Sequence, residues 1–489
     1  MVASRHFLCA SGHPPADADR ARPTLQRPMA TWRRWMAALA LHQPPRSRER
    51  RENPDVAAGY SYLLQFVAHD MVHMKPMPMH VDDSTAAARD IRERPLLLET
   101  LYGPPAGDLQ DASPRMRLGP ARLGNAPVPD RDIPRQLEAD GAKGKPLLAD
   151  VRNDQHSNLS QLTALFLQLH NAIVDLLPAG MPAAAAFETA KRATVLLYRD
   201  TVRRELLPRI LDARVDAIYA QRTAVLEPDE EDPRVTLEFS AGAFRFGHAM
   251  IRGHYELVGS GGYIGNIVQQ TMMLKSARMP LGAEWLVRWS RFFDVPGKPP
   301  AQRSLCYVPT PPAHTTGGQP PPLTGDVHDT RGGLTYRDAT TALLFGLWTP
   351  YALSRRIRTR EPQFDFLPRP AAAKAAIRAW LAEGPLFASA PDAQAAIAAA
   401  APLPFYVLFE AWWQGNGTRL GPLGSILVAE TICGALERTR PAYETGDLAA
   451  SLAALDPALA PLAARAGMAG IITFVADANG WQATAPAFL

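Results

Sequence analysis

Ala241-Gly-Ala-Phe-Arg-Phe-Gly-His248-Ala-Met-Ile-Arg-Gly-His254 is the stretch from which the organisation of this 489-residue chain can be inferred. The stretch is mostly apolar, and His248 directly follows a glycine. Glycine lets another group approach the backbone closely, and a neutral imidazole beside it is a usual axial ligand of haem iron. Taken alone, such a histidine is more often a hydrogen-bonded core residue. Other stretches must therefore decide between the two interpretations.

The composition limits the class of protein. The length suits one large domain or two to three ordinary ones, and hydrophobic residues make up 47% of the chain, enough for a large core. Cys9, Cys306 and Cys433 are odd in number and far apart, so we expect neither a disulfide framework nor a cysteine-based zinc site. This usage favours a reducing compartment. No run of about 18 apolar residues occurs, so we expect no membrane span.

Residues 1–56 form an Arg- and Pro-rich N-terminal extension, which we predict to be disordered. They contain ten arginines, no lysine and five acidic residues, whereas the remaining chain carries 42 basic and 43 acidic residues. The basic pI of about 9.0 therefore comes from the extension. It lacks the apolar core and cleavage site of a secretory signal. Start sites at Met29 or Met36, and contact with an acidic partner or a membrane surface, are the alternatives.

The second informative stretch is Gly59-Tyr-Ser-Tyr-Leu-Leu-Gln-Phe-Val-Ala-His-Asp-Met-Val-His-Met74, whose apolar residues recur with a helical period. Gln65, His69 and His73 lie four apart and share one face. Three interpretations compete. The first is an acid–base histidine with a glutamine beside it, facing a cofactor. The second is a Met-rich core edge. The third is a copper site, with further soft ligands at Met71, Met74, Met77, Met79 and His80.

The third stretch predicts a helix over residues 157–177, capped by Ser157 or Asn158. Its apolar stripe consists of Leu159, Leu162, Leu165, Phe166, Leu169 and Ile173. Arg152 precedes this helix in a turn rich in Asp and Asn. It is either a surface or capping arginine or a fixed cation beside a site where negative charge develops.

The rest of the chain predicts a mainly α protein with little β structure. Helical patterns cover residues 182–211, 284–294, 336–358, 370–400, 405–413 and 426–436, whereas residues 104–145 and 296–335 are predicted to be loops. No strand alternation and no internal repeat is evident. We therefore predict a single helical catalytic domain over residues 57–489.

Together these stretches resemble one family, the animal-type haem peroxidases of the peroxidase–cyclooxygenase superfamily, and in particular its bacterial members. The resemblance runs from about residue 57 to about residue 445. It rests on Leu64-Gln-Phe-Val-Ala-His-Asp70, Asp150-Val-Arg152, Leu165-Phe-Leu-Gln-Leu-His-Asn171, Glu238-Phe-Ser-Ala-Gly-Ala-Phe-Arg-Phe-Gly-His248, Arg337-Asp338 and Arg419-Leu-Gly-Pro-Leu-Gly424. The number, order and spacing of these motifs carry the match.

The resemblance implies a role for each matching residue. His69 corresponds to the distal histidine, Gln65 to the distal glutamine and Arg152 to the distal arginine. His248 corresponds to the proximal histidine that ligates iron, and Arg245 to an arginine near a haem propionate. The implied fold is a large helical domain that holds haem between a distal and a proximal helix.

The implied activity is the reduction of hydrogen peroxide, coupled to oxidation of a halide or an organic donor. His69 would act as base and then as acid, and Arg152 would stabilise the developing negative charge. The expected partners are thus peroxide and a small reducing substrate, with no nucleic acid. Neither the reducing substrate nor the oligomeric state follows from the sequence.

Two departures from the family pattern concern the haem. Mammalian members attach it covalently through an Asp and a Glu, but the matching positions here are Ala68 and Gln155. We therefore predict non-covalent haem b. The usual Asn partner of the proximal histidine is replaced by Asp338, whose carboxylate would make the imidazole more anionic and lower the iron potential. A surface position for Asp338 is the alternative.

Calcium is a further question, because the family binds it through the Asp after the distal histidine, here Asp70. The loop that would complete the site, Leu96-Leu-Leu-Glu-Thr-Leu-Tyr-Gly103, is poor in short carboxylates. A cation that needs six or more oxygen ligands is poorly served by it. Asp70 is expected instead to cap or hydrogen-bond locally.

Two other functions stay open. Fatty-acid oxygenases of the superfamily carry a radical-forming Tyr three residues before the proximal His, where this chain has Arg245; Tyr255 is the nearest tyrosine. That replacement argues against a dioxygenase. A non-catalytic haem-binding protein would not need Gln65, His69 and Arg152.

Overall fold

The computed structural model describes residues 7–8, 29–42, 44, 51–72, 94–103, 114–123, 126–137, 144–221, 225–226, 235–257, 264–266, 281–310, 333–481 and 488–489. Helices dominate these residues, which confirms the predicted mainly α class with little β structure. In the described ranges the α-helices are α1 (Met29–Leu41), α2 (Gly59–Met71), α3 (Glu99–Tyr102), α4 (Ser157–Val174), α5 (Ala183–Thr201), α6 (Leu207–Ile210), α7 (Ala213–Gln221), α8 (Gly333–Leu344), α9 (Pro350–Arg360), α10 (Pro370–Ala382), α11 (Pro391–Ala399), α12 (Leu403–Gly415), α13 (Pro422–Arg438), α14 (Leu448–Leu455) and α15 (Met468–Asn479).

The β structure consists of short antiparallel pairs. The strands are β1 (Glu52–Ala57), β2 (Gly119–Leu123), β3 (Ala126–Asp132), β4 (Arg135–Leu137), β5 (Gly144–Pro146), β6 (His254–Glu256), β7 (Ile264–Asn266) and β8 (Arg303–Leu305). They pair as β1–β8, β2–β3, β4–β5 and β6–β7. Strands within 104–145 and 296–335 correct the prediction that these ranges are loops. Segments of three to seven residues are too short for alternation to stand out from their turn residues.

Helix α4 is buried along nearly its whole length and forms the centre of the core. Its apolar stripe packs against α2 and α5, as the helical period predicted. Its buried polar side chains bind the β2–β3 hairpin: the amides of Gln161 and Gln168 donate to the carbonyls of Arg131 and Asp130, at 2.6 and 2.8 Å. The predicted cap is wrong by one residue. His156 occupies the N-cap, because its Nδ1 accepts a hydrogen bond from Leu159 N.

The helices of the C-terminal half follow their sequence patterns in part, and the range 370–400 is divided into α10 and α11 at the proline-opened start of α11. The predicted helix 336–358 is two helices, α8 and α9, separated by Gly346 at φ +60° and by Pro350. Glycine permits the left-handed turn that ends α8, and proline opens α9 at its first position. The predicted aromatic helix 284–294 is reduced to two 3₁₀ turns, Ala283–Trp285 and Trp289–Arg291.

The stretch that contains His248 is helical but not α-helical. A π-helix over Glu238–Gly242 continues directly into a 3₁₀-helix over Ala243–Met250. Leu403 of α12 lies against Gly242, where a Cβ atom would approach its Cδ2 to 2.7 Å. The π-helix therefore changes to the tighter 3₁₀-helix directly after Gly242, the residue against which Leu403 of α12 packs.

The range 1–56, predicted to be a disordered extension, contains α1 and most of β1. Trp32, Met36 and Leu39 of α1 are buried, and α1 packs against α8. These buried residues of the apolar patch Trp32–Leu41 therefore belong to the core, whereas Leu41 is exposed. The domain boundary at residue 56 stays a prediction.

In the part of the chain that the structure describes, no single helix is long and apolar enough to cross a membrane. One pair of helices, α11 and α12, passes the same test together by length and composition only; the two are bent by 95° at their break.

Candidate functional site

His248 and Asp338 form the first contact of the site. His248 lies in the 3₁₀-helix and Asp338 on α8, and the ring Nδ1 is 2.6 Å from the carboxylate Oδ2. Burial alone would raise the pKa of Asp338, but His248, Arg245 and Arg337 lower it below its usual value. Asp338 is therefore ionised and accepts the Nδ1 proton, which leaves Nε2 of His248 as the ring nitrogen that can bind a metal.

Arg245 is near the same carboxylate. Burial lowers the pKa of Arg245, and the charge of Asp338 opposes that shift. Arg245 is only partly exposed, one turn of the 3₁₀-helix before His248. A buried guanidinium needs an anionic partner, so this position fits an arginine beside an acidic ligand group.

Helix α2 packs directly on the segment that carries His248. A Cβ atom at Gly247 would lie 3.0 Å from Cδ2 of Leu64, so the glycine permits this close approach. The residues flanking the contact are the partly exposed ones. On α2 only Gln65 and Ala68 are not buried, and near Gly247 His248 has 26% of its side chain exposed. Each of the two elements thus has partly exposed residues beside the Leu64–Gly247 contact.

His69 lies on α2 and is buried, one turn after Gln65. Its Nδ1 is 2.8 Å from Oδ1 of Asn153, which lies in the 3₁₀-helix Val151–Asp154. Because Oδ1 accepts, Nδ1 carries the proton and Nε2 carries the lone pair of the neutral ring. Nδ2 of Asn153 is buried without a hydrogen-bond partner among the described residues. This side of the site therefore has a base and unused donor capacity.

Arg152 is fixed against the end of α2. Its Nε and Nη2 donate to the carboxylate of Asp150, with a shortest distance of 2.6 Å. Nη2 also donates to the carbonyl of His69 at 2.9 Å, and Nη1 to that of Val72 at 2.8 Å. These carbonyls lie at the C-terminal end of α2, where a cation is favourable. One Nη1 hydrogen has no partner in the described ranges, so a single donor is available to a bound molecule.

Gln65 belongs to a chain of side-chain hydrogen bonds. Its Oε1 is 2.9 Å from Nε2 of His156, and its Nε2 is 3.2 Å from Oε1 of Gln155. Gln155 occupies the position of one covalent haem anchor in the resemblance, and Ala68 the position of the other. Neither is a carboxylate, and Gln155 serves as an acceptor for Gln65.

The surroundings of Asp70 do not fit a calcium ion. Oδ2 accepts a hydrogen bond from Leu98 N at 3.0 Å, and Oδ1 accepts from Thr100 N at 3.3 Å and from Thr100 Oγ1 at 3.4 Å. Donors face this carboxylate where a calcium site would need oxygen acceptors. Asp70 thus joins the end of α2 to the start of α3 through hydrogen bonds, the alternative to calcium binding that the sequence suggested.

The structure places Gln65 and His69 one turn apart on α2, with Arg152 bound to the carbonyl of His69, and brings His248, Arg245 and Asp338 together around the 3₁₀-helix. Asn153 and His156 were not singled out from the sequence. Each contacts α2 across more than 80 positions of chain, so no local pattern signals them. The proposed soft ligands His73, Met74, Met77, Met79 and His80 lie outside the described residues. Within those residues, no group of three or more His, Cys, Asp or Glu is placed to hold a metal ion.

A separate cavity of about 460 Å³ lies beside β2, β3 and β4 and contains none of these residues. Arg135 lines it and is held by Asp132 and Asp154, both at 2.7 Å. Arg115 also lines it and pairs with Asp175. Its charges are thus engaged within the protein.

Comparison with known proteins confirms the resemblance. Residues 111–288 match the model of the animal haem peroxidase family. A peroxidase-like protein of Margaritifera margaritifera is 33% identical over 129 residues, 25% of this chain. The match spans only 16% of the length of that relative.

Solved structures of a peroxidase and of fatty acid alpha-dioxygenases share the fold. Peroxidase A from Dictyostelium discoideum has a TM-score of 0.53 at 14% identity, covering 96% of this chain and 94% of its own. The fatty acid alpha-dioxygenase of Oryza sativa has a TM-score of 0.55 at 12% identity, covering 99% and 84%. The fold is therefore common to peroxidases and dioxygenases.

Proposed function

We propose that this chain, whose residues 111–288 match the animal haem peroxidase family, is a haem-dependent peroxidase that reduces hydrogen peroxide and oxidises a halide or an organic donor. The observation that carries the proposal is the 2.6 Å contact of His248 Nδ1 with the ionised Asp338. A histidine that only fills space does not need an anionic partner that strengthens its other nitrogen as a ligand.

The residues present fit a haem group. His248 would supply the axial ligand through Nε2, and Arg245 would pair with a propionate. Because Ala68 and Gln155 cannot form ester links, the haem would be non-covalent haem b. When bound, haem supplies the iron that exchanges electrons with peroxide and with the donor.

His69 would transfer the proton, Arg152 would stabilise the developing negative charge, and Gln65 would orient the bound molecule. Nε2 of His69 accepts a proton from peroxide and returns it to the departing oxygen, while Asn153 holds Nδ1–H. Arg152 contributes its remaining Nη1 donor and its charge where negative charge develops. Gln65 orients the bound molecule through its amide. Together these groups assist heterolytic cleavage of the O–O bond.

The proposal is tested by adding haem to the purified protein and recording absorption spectra before and after one equivalent of hydrogen peroxide. We expect a sharp haem band that changes with peroxide and returns with a donor. His248→Ala should lose the axial ligation, and His69→Ala should keep haem but slow the peroxide reaction by about 10²–10⁴-fold. His254→Ala, at an exposed histidine, is the matched control.

Each negative result has a defined meaning. If the wild-type protein gives no stable haem spectrum, the assigned role of His248 is wrong. If haem binds but peroxide leaves the spectrum unchanged, the protein binds haem without peroxidase activity.

A fatty-acid dioxygenase is the second candidate, because the fold resembles the plant alpha-dioxygenases as closely as it resembles a peroxidase. Arg245 at the position of the radical Tyr argues against it. Tyr255 is buried, and its hydroxyl accepts a hydrogen bond from Arg252 N at 2.8 Å. Oxygen uptake with a fatty acid in the absence of peroxide would favour this second function.

A further inference from the structure

His156 is a buried histidine beside the site that the mechanism above does not use. It is the N-cap of α4, with extended backbone at φ −161° and ψ 164°. Its Nδ1 accepts a hydrogen bond from Leu159 N at 3.3 Å. A nitrogen that accepts from a backbone N–H carries no proton, so the proton of the neutral ring is on Nε2.

This tautomer sets the direction of the neighbouring hydrogen bonds. Nε2–H of His156 donates to Oε1 of Gln65 at 2.9 Å, which fixes which end of the Gln65 amide is oxygen. The other end, Nε2, then donates to Oε1 of Gln155 at 3.2 Å. The second hydrogen on Gln65 Nε2 remains. Since Gln65 is one of the two partly exposed residues of α2, a bound molecule there meets a donor.

The surroundings of His156 keep its ring neutral. Burial, together with the charge of the nearby His69, lowers the pKa of His156 to about 3. The ring of Tyr62 packs edge-on against it, with centroids 5.2 Å apart. Tyr62 is neutral as well, because burial raises the pKa of its hydroxyl. The chain of hydrogen bonds therefore keeps one direction between pH 5 and pH 8, where the ring of His156 is neutral.

We propose that His156 is a positioning residue that locks the amide of Gln65 so that its remaining N–H is available at the partly exposed face of α2. The assignment of a ligand site beside Gln65 rests on the proposed function. The tautomer of His156 does not depend on it. Its consequence is selectivity by hydrogen-bonding type: a ligand beside Gln65 gains from being an acceptor, and a ligand that can only donate gains nothing.

The tautomer is tested without haem. Nitrogen NMR of protein labelled at histidine should show His156 with Nδ1 unprotonated and Nε2 protonated, unchanged between pH 5 and pH 8. The signal is assigned by its loss in His156→Asn. A protonated Nδ1, or titration of His156 in that range, would overturn the proposal.

The positioning role is tested in the haem-loaded protein with fluoride, which only accepts hydrogen bonds. Asn is among the best N-cap residues but is too short to reach Gln65, so His156→Asn separates capping from positioning. We expect unfolding of the haem-free variant by urea to match the wild type, while fluoride binds about tenfold more weakly.

Gln65→Leu should weaken fluoride binding to a similar degree, and the double variant no more than either single variant, because both changes remove one interaction. Unchanged fluoride affinity in His156→Asn, or additive losses in the double variant, would contradict the proposal. Failure of the wild-type protein to bind haem would instead count against the proposed function, and the NMR result would then decide the inference.

Discussion

The charge of a single carboxylate, Asp338, is the simplest variable of the proposed iron site. Asp338→Asn keeps an oxygen that accepts Nδ1–H of His248 but removes the negative charge. Hydrogen bonds to an ionised group are about twice as strong as neutral ones. We expect the iron reduction potential to rise by about 60 mV, the equivalent of a tenfold change for one electron. Spectroelectrochemistry measures it, with the exposed Asp365→Asn as control; equal potentials in all three proteins would contradict the assignment.

The carboxylate of Asp70 accepts hydrogen bonds from Leu98 and Thr100, where the family pattern would have it bind calcium. Asp70→Ala leaves the amides of Leu98 and Thr100 without their acceptor, at a cost of about 1–3 kcal/mol each. We expect a lower melting temperature for the variant. Treating the wild type with a calcium chelator should change nothing. Stoichiometric calcium in the purified protein, or a fall in its melting temperature with chelator, would refute this reading.

The residues of the site were foreseeable to different degrees. His69, Arg152, His248 and Asp338 stand in recognisable motifs. Asn153 and His156 act through contacts between distant parts of the chain. Ser157 and Asn158 are more usual N-cap residues than histidine, so the sequence pointed to them and not to His156 as the cap. Sequence patterns report local periods and motifs, whereas the partner of a buried polar group is set by tertiary packing.

Among the elements, the junction of α12 and α13 gives a pH-dependent prediction. Glu410 of α12 is buried, and its Oε2 accepts from Leu423 N and Gly424 N at the start of α13, at 2.9 and 3.2 Å. Burial raises the pKa of Glu410 to about 8. The unfolded chain releases this proton above about pH 4.5, while the folded protein holds it until about pH 8. The free energy of unfolding should therefore fall between these values.

Glu410→Gln stays neutral and keeps an oxygen acceptor for α13, so its stability should decline less between pH 5 and pH 8 than that of the wild type. Urea unfolding followed by tryptophan fluorescence at several pH values measures the difference. Glu188→Gln, at an exposed carboxylate, is the control. Parallel profiles of wild type and Glu410→Gln would show that Glu410 ionises normally.

Element prediction succeeded where an apolar period continues over three turns or more, as in α4, α5 and α13. It failed for the short hairpins within 104–145, and it gave no helix type for the segment around His248. π-, α- and 3₁₀-helices bury similar apolar residues at similar spacing, so the pattern Phe244, Phe246, Ala249 cannot distinguish them.

For the whole molecule, helix α1 links the N-terminal range to the site. Met36 is fully buried, and α1 packs against α8, which carries Asp338. Met36→Ala should lower the free energy of unfolding by about 2–5 kcal/mol through the lost contacts and the cavity. Chemical denaturation measures it, with the exposed Arg34→Ala as control. A cost below about 0.5 kcal/mol would mean that α1 contributes little to the fold.

The arginine-rich composition of residues 1–56 explains why the sequence predicted disorder where the structure has helix α1. Composition favoured disorder there, because ten arginines outweigh one short apolar patch. The patch was nevertheless long enough to form three turns of helix and bury Trp32 and Leu39. Composition averaged over 56 residues hides a helix of 13, and for that reason the boundary of the catalytic domain is not settled by charge alone.

The change from a π-helix to a 3₁₀-helix before His248 has a consequence for how this segment can vary. Each residue of a 3₁₀-helix turns the chain by about 120°. Inserting or deleting one residue between Ala243 and His248 would therefore rotate the imidazole by a third of a revolution away from Asp338. Exchanging one apolar side chain for another would leave its azimuth unchanged. Related chains should therefore exchange the apolar side chains of this segment but conserve its length, together with Gly242 and Gly247, where a Cβ atom would meet Leu403 and Leu64.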